Sequence, residues 1–302
     1  MTHDSDKTAP TAESGPDVSE RRAPMDFDVA YYEYYDCEIV DHVSFVTESG
    51  KPADCSYYLY FPKDAEIDED TPVVAYVTHG GGVAEEERAY SMHWAAGQDT
   101  SAVFVIPYTD VSTAVCASLE DARQRLEGKG AFDRISIHGT SSGGRAIMRA
   151  ALKSTDPDRN YGFRFANICA YDPARETSLS PVTEDFQAMV QLAETGAVLF
   201  IQTDRDSDGS SGGSGEICNR YAEIYSEAGG IAVVAEIKTG SESHEEKFIK
   251  PMTHNSLNWS IGKGKLAEDE HYRNDWYYYK DGVKYETTLD DATALLQRSD
   301  GP

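Results

Sequence analysis

The sequence predicts an α/β protein with a mostly parallel central sheet, helices on both faces and an antiparallel N-terminal hairpin. Three observations support this prediction. Short apolar runs alternate with helical segments, a tight turn joins the first two strand-like runs, and one strand passes through a glycine- and serine-rich turn directly into a helix. Alternating strands and helices imply parallel pairing, because each helix returns the chain to the start of the next strand.

The antiparallel hairpin comes first in the chain. Residues 37–46 and 56–61 have strand character, and residues 48–51 between them form a turn. The run Val73–Val77 follows Thr71-Pro72 and is apolar throughout. A continuous apolar run of this length is typical of a parallel strand that is buried on both faces.

The remaining elements alternate along the chain. Their predicted order is helix 85–96, strand 102–106, helix 114–126, strand 134–138, helix 144–153, strand 165–170, helix 186–193, strand 197–202, helix 215–228, strand 231–237 and helix 252–262. An Asp281-Gly282 pair between two aromatic-rich runs then predicts a second hairpin over residues 276–287.

The glycine- and serine-rich turn is the first candidate for a functional site. Gly139-Thr140-Ser141-Ser142-Gly143 fits the pattern G-x-S-x-G between a predicted strand and a predicted helix. In that setting the serine lies on strained backbone with its oxygen exposed, and glycine is required where strand and helix approach each other. Ser142 is out of register, since a motif centred on it would need glycine in place of Thr140. The pattern alone also fits an ordinary turn or a phosphate-binding loop.

A second glycine-rich loop, His79-Gly80-Gly81-Gly82, directly follows the strand at 73–77. Backbone N–H groups in such a loop can turn toward the negative charge that develops on a carbonyl oxygen during acyl transfer. A flexible turn is the simpler alternative. The position of the loop, about two strands before the serine turn, favours an oxyanion-binding role.

Taken together, these two motifs resemble the α/β-hydrolase family over most of residues 36–262, and most closely the esterases of the hormone-sensitive-lipase type and their bacterial relatives. Those relatives have GDSAGG where this chain has GTSSGG at residues 139–144. The resemblance implies the α/β-hydrolase fold. It also implies a serine, an acid and a histidine in that order along the chain, with the acid after a late strand and the histidine after the last core strand.

Several aspartates qualify as the acid. Asp206 takes the position of the family's aspartate after the strand at 197–202, while Asp204 and Asp208 are close alternatives in the same acidic segment. Asp172 lies one strand earlier and is a weaker alternative. An acidic loop exposed to solvent is the ordinary interpretation for all but one of these residues.

Two histidines qualify as the base. His244 lies seven residues beyond Ile237, in a loop before a predicted helix, which resembles the family's position for the catalytic histidine. His254 lies beyond Pro251 in the first turns of that helix, where a structural role is more typical.

The resemblance thus implies a serine hydrolase that cleaves carboxylic esters with small to medium acyl groups through an acyl-enzyme. Ser141 is the predicted nucleophile, His244 the base and Asp206 the acid that orients it. The predicted oxyanion donors are the backbone N–H groups of Gly81, Gly82 and Ser142. Three alternatives remain: a serine peptidase or amidase with the same triad, a non-catalytic binding protein with this fold, and a glycan- or envelope-associated protein, which only the C-terminal tyrosines suggest. A small-molecule ester is the expected partner, and no metal or organic cofactor is required.

Composition limits the remaining possibilities. The 302 residues include 53 acidic and 27 basic residues, and the formal net charge is −26. Such a surface repels nucleic acid. No apolar run approaches the length of a membrane span. Five scattered cysteines and the lack of an apolar signal segment predict free thiols and a cytoplasmic location.

The domain prediction has three parts: a disordered tail at 1–25, a hydrolase domain at 26–266 and a tyrosine-rich hairpin extension at 267–302. The sequence makes no prediction of the oligomeric state.

Overall fold

The computed structural model describes residues 35–63, 65–77, 102–171, 173, 181–193, 197–203, 214–237 and 274–298. The strands are β1 (Tyr35–Val46), β2 (Pro52–Pro62), β3 (Val73–Val77), β4 (Val103–Pro107), β5 (Ile135–Thr140), β6 (Phe165–Tyr171), β7 (Ala197–Thr203), β8 (Ala232–Ile237), β9 (Asn274–Lys280) and β10 (Val283–Thr287). The helices are α1 (Ser112–Arg125), α2 (Ser142–Ser154), α3 (Glu184–Leu192), α4 (Ser214–Glu227) and α5 (Leu289–Arg298), with a 3₁₀ turn at Phe132–Arg134.

Some predicted elements lie outside the described residues. They are the N-terminal tail at 1–25 and the helices at 85–96 and 252–262. Within the described part of the chain, no helix is both long enough and apolar enough to cross a lipid bilayer.

The ten strands form one sheet in the order β1-β2-β4-β3-β5-β6-β7-β8-β9-β10. The six neighbouring strands from β4 to β8 pair in parallel. Antiparallel strands flank them, with β1 and β2 at one edge and β9 and β10 at the other. The mostly parallel sheet and the N-terminal hairpin are therefore as predicted.

The second predicted hairpin is formed by β9 and β10 and continues the same sheet beyond β8. Its turn consists of Asp281 with a φ of 51° and Gly282 with a φ of 74°. Two successive positive φ angles are what a two-residue type I′ turn requires, and Asp-Gly is a preferred pair for that turn. The sequence signal and the backbone conformation agree at this position.

The sheet has a hydrophobic cluster on each face, because its parallel strands are buried on both sides. Helices α1 to α4 pack on the first face, and their buried side chains there include Leu119, Ile147, Met189 and Tyr221. Helix α5 packs on the second face through Ala292 and Leu296. Helices therefore cover both faces of the sheet, as predicted, and α5 supplies the described helix on the second face.

Helix α5 was not predicted from the sequence. Its start has a capping arrangement, in which the Thr288 hydroxyl accepts the N–H of Asp291 at 3.2 Å and donates to the Asp291 carboxylate at 3.0 Å. A threonine followed three residues later by an acidic residue is a recognised signal for a helix start. That signal is present in the sequence at residues 288–291.

A buried carboxylate joins α2, α3 and α4, which are three of the four helices on the first face of the sheet. Asp185 of α3 is fully buried, and it accepts hydrogen bonds from Arg149 Nε of α2 at 2.5 Å and from the Tyr221 hydroxyl of α4 at 2.9 Å. A buried charge has to be paired, because leaving it unpaired in the interior costs several kcal/mol. This network therefore fixes the position of α2, the helix that follows Ser141.

Candidate active site

The turn between β5 and α2 has the strained backbone that the G-x-S-x-G pattern predicts. Strand β5 ends at Thr140, helix α2 begins at Ser142, and Ser141 lies between them with a φ of 54° and a ψ of −121°. A residue other than glycine with positive φ costs on the order of 1–3 kcal/mol, and such strain concentrates at functional sites. Ser141 is also partly exposed to solvent. The conformation therefore presents its side chain at the end of a buried strand.

Close packing between strand and helix explains the glycines of this turn. A Cβ atom on Gly139 would lie 2.6 Å from the carbonyl oxygen of Gly143, 2.8 Å from its carbonyl carbon and 2.9 Å from Cγ2 of Ile147. A Cβ on Gly144 would lie 3.1 Å from the Gly139 oxygen and 3.1 Å from the Pro173 side chain. The helix can follow the strand this closely because Gly139 lacks a side chain, and a side chain at Gly144 would also be tightly packed.

The substitution Gly139→Ala is expected to lower the free energy of unfolding by about 3 kcal/mol, because the nearest atoms belong to backbone that cannot move aside. Chemical denaturation measures this effect. Gly144→Ala is the matched control and should cost less, since its contacts at 3.1 Å need only a small adjustment. A Gly139→Ala protein as stable as the unchanged chain would show that strand and helix do not approach this closely.

Beneath Ser141, the second face of the sheet holds two buried hydrogen-bonded side-chain pairs. The hydroxyls of Tyr76 and Thr140 lie 2.7 Å apart, and the Tyr171 hydroxyl lies 2.6 Å from Nδ1 of His138. All four side chains are buried. Burial lowers the pKa of His138 to about 3, so this ring is neutral at physiological pH. His138 is therefore unsuited to act as the general base of a reaction near neutral pH.

Sequence reasoning gave no role to these four residues. The available signal is the pattern of β5, where Ser136, His138 and Thr140 alternate with apolar residues in a strand that is buried on both faces. Buried polar side chains need hydrogen-bond partners. Their presence at every second position indicates a polar layer on one face of the sheet, but the sequence does not identify the partners on other strands.

The depressed pKa of His138 also predicts a pH dependence of stability. The ordinary pKa of histidine is about 6.5, so between that value and the folded-state pKa the unfolded chain binds a proton that the folded chain excludes. The free energy of unfolding should therefore fall as the pH decreases below about 6.5. Between about pH 7.5 and about pH 5, the unchanged protein should lose about 2 kcal/mol more than His138→Gln.

Urea denaturation of both proteins at both pH values measures that difference. The comparison with His138→Gln removes the contribution of the carboxylates, which both proteins share. Equal losses in the two proteins would show that His138 takes up its proton in the folded state as readily as in the unfolded state.

Known structures share the architecture described above. A bacterial heroin esterase aligns over 78% of this chain and 86% of its own, with a TM-score of 0.56 and 13% sequence identity. Carboxyl esterase 2 from the mycorrhizal fungus Tuber melanosporum aligns over 76% of this chain and 88% of its own, with a TM-score of 0.54 and 14% identity. An S-formylglutathione hydrolase from Agrobacterium tumefaciens aligns over 76% and 95%, with a TM-score of 0.50 and 18% identity.

The chain has the α/β-hydrolase fold. The fold predicted from the two glycine motifs is thereby confirmed. No family model matches the sequence, and no curated protein matches it either. At identities between 13% and 18%, these likenesses establish the fold alone.

Within the α/β-hydrolase fold, the predicted site residues follow parallel strands whose carboxyl ends lie on the same side of the sheet. In the parallel ladder, Val77 of β3 pairs with Gly139 of β5, and Thr203 of β7 pairs with Ile237 of β8. The chain therefore leaves β3, β7 and β8 at the same carboxyl end of the sheet where β5 turns into α2. The segments that contain the predicted oxyanion loop, acid and base begin at this carboxyl end.

Of the predicted catalytic and oxyanion residues, Ser141 and Ser142 are described, and the structure places them together at the start of α2. The others lie outside the described residues: Gly81, Gly82, Asp206 and His244, with the alternatives Asp172, Asp204, Asp208 and His254. Their roles stay predictions.

The cysteine thiols of this α/β-hydrolase fold are protected from ionisation or from solvent. All five cysteines lie within the described residues, and none of them forms a disulfide. Burial raises the pKa of Cys37 and Cys116 to about 12 and raises the pKa of Cys55, while Cys169 and Cys218 are fully buried. Because the thiolate is the reactive form, protonated thiols are weak nucleophiles. The five thiols are therefore poor candidates for a catalytic nucleophile.

Among the described residues, no group of three or more His, Cys, Asp or Glu side chains is arranged so that it could hold a metal ion.

Proposed function

We propose that this protein is a serine hydrolase that cleaves carboxylic esters with small to medium acyl groups through an acyl-enzyme. The observation that supports this proposal is the strained Ser141 between β5 and α2, partly exposed at the carboxyl end of the parallel strands. In open α/β sheets, ligands bind at the carboxyl ends of the strands. A strained backbone at a serine, closely packed at Gly139, has a clear use in presenting a nucleophile.

The proposed reaction has two steps. Ser141 Oγ attacks the ester carbonyl carbon while His244 takes its proton, and His244 then gives that proton to the alcohol as the bond to the alcohol oxygen breaks. Water next attacks the carbonyl carbon of the acyl-enzyme while His244 takes a proton from that water. His244 then returns the proton to Ser141 Oγ as the bond between this oxygen and the acyl carbon breaks, and the carboxylic acid product leaves. Asp206 orients the His244 ring and stabilises its charged form.

The start of α2 suits the negative charge of this reaction. Ser142 is the first residue of the helix, and N–H groups in the first turn have no acceptor within the helix itself. The helix dipole also favours negative charge at this end. We assign the N–H groups of Ser142, Gly81 and Gly82 to the oxyanion that forms when Ser141 attacks.

The substitution Gly81→Ala is expected to lower kcat by about 10²- to 10³-fold, the usual effect of losing one oxyanion donor. The added methyl group displaces the backbone N–H groups or occupies the space of the acyl group. Steady-state kinetics on a p-nitrophenyl ester, with thermal unfolding to verify folding, measures the effect. A folded Gly81→Ala protein with unchanged kcat would remove the loop at 79–82 from the mechanism.

Active-site labelling tests the proposal as a whole. A fluorophosphonate probe should modify the unchanged protein, and peptide mapping should locate the label on Ser141. A panel of p-nitrophenyl esters of increasing acyl length should show hydrolysis that is fastest for the short and medium chains. Matched p-nitroanilides should react much more slowly, and the reverse order would identify an amidase. Label on Ser142, or absence of label and of hydrolysis, would overturn the proposal.

A further inference from the structure

The second face of β5 contains a row of buried polar side chains inside a layer that is otherwise largely apolar. Ser136, His138 and Thr140 are each no more than 2% exposed. Each is hydrogen-bonded to a side chain on a neighbouring strand. The three pairs are Ser136 with Asn167 at 3.2 Å, His138 with Tyr171 at 2.6 Å and Thr140 with Tyr76 at 2.7 Å.

One of these pairs adjoins the proposed nucleophile. Thr140 immediately precedes Ser141, and the Ser141 N–H donates to the carbonyl oxygen of Tyr171 at 2.9 Å. Strand β3 supplies the partner of Thr140, because Tyr76 pairs in register with His138 and its hydroxyl reaches two residues farther along β5. The Thr140 side chain is therefore fixed to a neighbouring strand at the last position before the strained residue.

The two faces of the sheet restrain this turn in different ways. On the first face, Gly139 is in close contact with Gly143 and Ile147 of α2, so sterics fix the backbone there. On the second face, the restraint comes from the hydroxyl pair of Tyr76 and Thr140. Strained backbone persists only where its surroundings determine it from several sides. The hydroxyl pair is a restraint of this kind.

Stability alone does not account for a polar pair at this position. An apolar pair of the same shape in place of two buried, hydrogen-bonded groups is often nearly neutral for stability. A hydroxyl pair does fix the relative position of its two side chains, because a hydrogen bond near 2.7 Å tolerates little change in distance or angle. The Thr140 pair is thus better suited to fixing geometry than to stabilising the fold.

We propose that Tyr76 is a positioning residue for Ser141 and acts through the hydroxyl of Thr140. This inference rests on the proposed function, since it assigns Tyr76 a role in the reaction of the same serine. Without the Tyr76 hydroxyl, Thr140 is less restrained, and Ser141 spends less time in the conformation that attacks the ester. The Tyr76 side chain is buried, so the proposed role requires no contact between Tyr76 and the ester.

The test measures the reactivity of Ser141 directly. Tyr76→Phe and Thr140→Val should each lower the rate constant for fluorophosphonate labelling and the kcat for ester hydrolysis by about tenfold, because small errors in position reduce the rate strongly. KM should change by less than about twofold. The double variant should be no slower than either single variant, since both remove the same interaction.

Two controls separate positioning from stability. Thr140→Ser keeps the hydroxyl and should restore labelling to within about twofold of the unchanged rate. Ser136→Ala removes a hydroxyl from the same face of the same strand but at its other end, and it should leave the labelling rate unchanged. Thermal unfolding of every variant shows whether a loss of rate follows a loss of stability.

The outcomes distinguish this inference from the proposed function. An unchanged chain that is neither labelled nor active overturns both. If the unchanged chain is labelled at Ser141 and Tyr76→Phe is labelled at the same rate, the positioning role alone is wrong. The positioning role is also wrong if Tyr76→Phe is labelled slowly and either Thr140→Ser or Ser136→Ala is labelled equally slowly. In that case the hydroxyl pair of Tyr76 and Thr140 is not the cause of the slow labelling.

Discussion

Ser141→Ala is expected to lower kcat for ester hydrolysis by roughly 10⁶-fold, the size of effect seen when a catalytic serine is removed. The variant loses the attacking oxygen but keeps the oxyanion donors and the binding surface, so a small residual rate above the uncatalysed reaction should remain. Alanine differs from serine at this position only by the lost hydroxyl, so the strained backbone is retained. Steady-state kinetics and thermal unfolding together measure both expectations.

Ser142→Ala is the matched control for this experiment. Ser142 is adjacent in the chain and also partly exposed, but its proposed contribution is its backbone N–H, which alanine retains. This variant should keep most of the activity. If Ser142→Ala is inactive while Ser141→Ala remains active, the nucleophile has been assigned to the wrong residue.

His244→Ala should be about as damaging as Ser141→Ala, because members of a catalytic triad act as a unit and losing one removes most of the benefit of the others. Asp206→Asn should lower kcat by about 10⁴-fold, since an amide favours the wrong histidine tautomer. The measurement is kcat on the best p-nitrophenyl ester, with labelling of Ser141 as a second readout of its reactivity.

The alternative base and the alternative acid, His254 and Asp204, supply the controls for the triad. His254→Ala and Asp204→Asn replace the alternative base and the alternative acid, and both should be mild. If His254→Ala is inactive and His244→Ala is not, the base is His254. The same comparison between Asp204→Asn and Asp206→Asn decides the acid. Either exchange leaves the proposed reaction unchanged and corrects the residue that performs it.

The features predicted correctly depend on local chemistry. Gly139 and Ser141 lie within a few residues of each other in the chain, and the contact that excludes a side chain at Gly139 involves Gly143 and Ile147, one or two helical turns away. The Asp281-Gly282 turn depends on its own two residues. In each case the physical constraint and the residues that reveal it lie in the same short stretch of sequence.

The features that were missed depend on distant partners or on irregular backbone. Tyr76 and Thr140 are 64 positions apart in the sequence, and only the strand order brings their hydroxyls together. Residues 37–46 were predicted to be a strand, but the prediction did not include the shift of register with β2 between Val40 and Val43, where His42 has a φ of 60°. A single irregular residue of this kind leaves the alternating pattern of a strand almost unchanged.

The hairpin of β9 and β10 has a consequence for synthesis of the protein on the ribosome. Strand β8 is almost entirely apolar, and one of its edges pairs with β9, which begins 37 residues after β8 ends. Until β9 has emerged, β8 has an open edge of unpaired N–H and C=O groups, which is a site for aggregation. The nascent chain therefore passes through a vulnerable stage after β8 is made. A chain that stopped between these two strands would keep that edge exposed permanently and depend on chaperones to stay in solution.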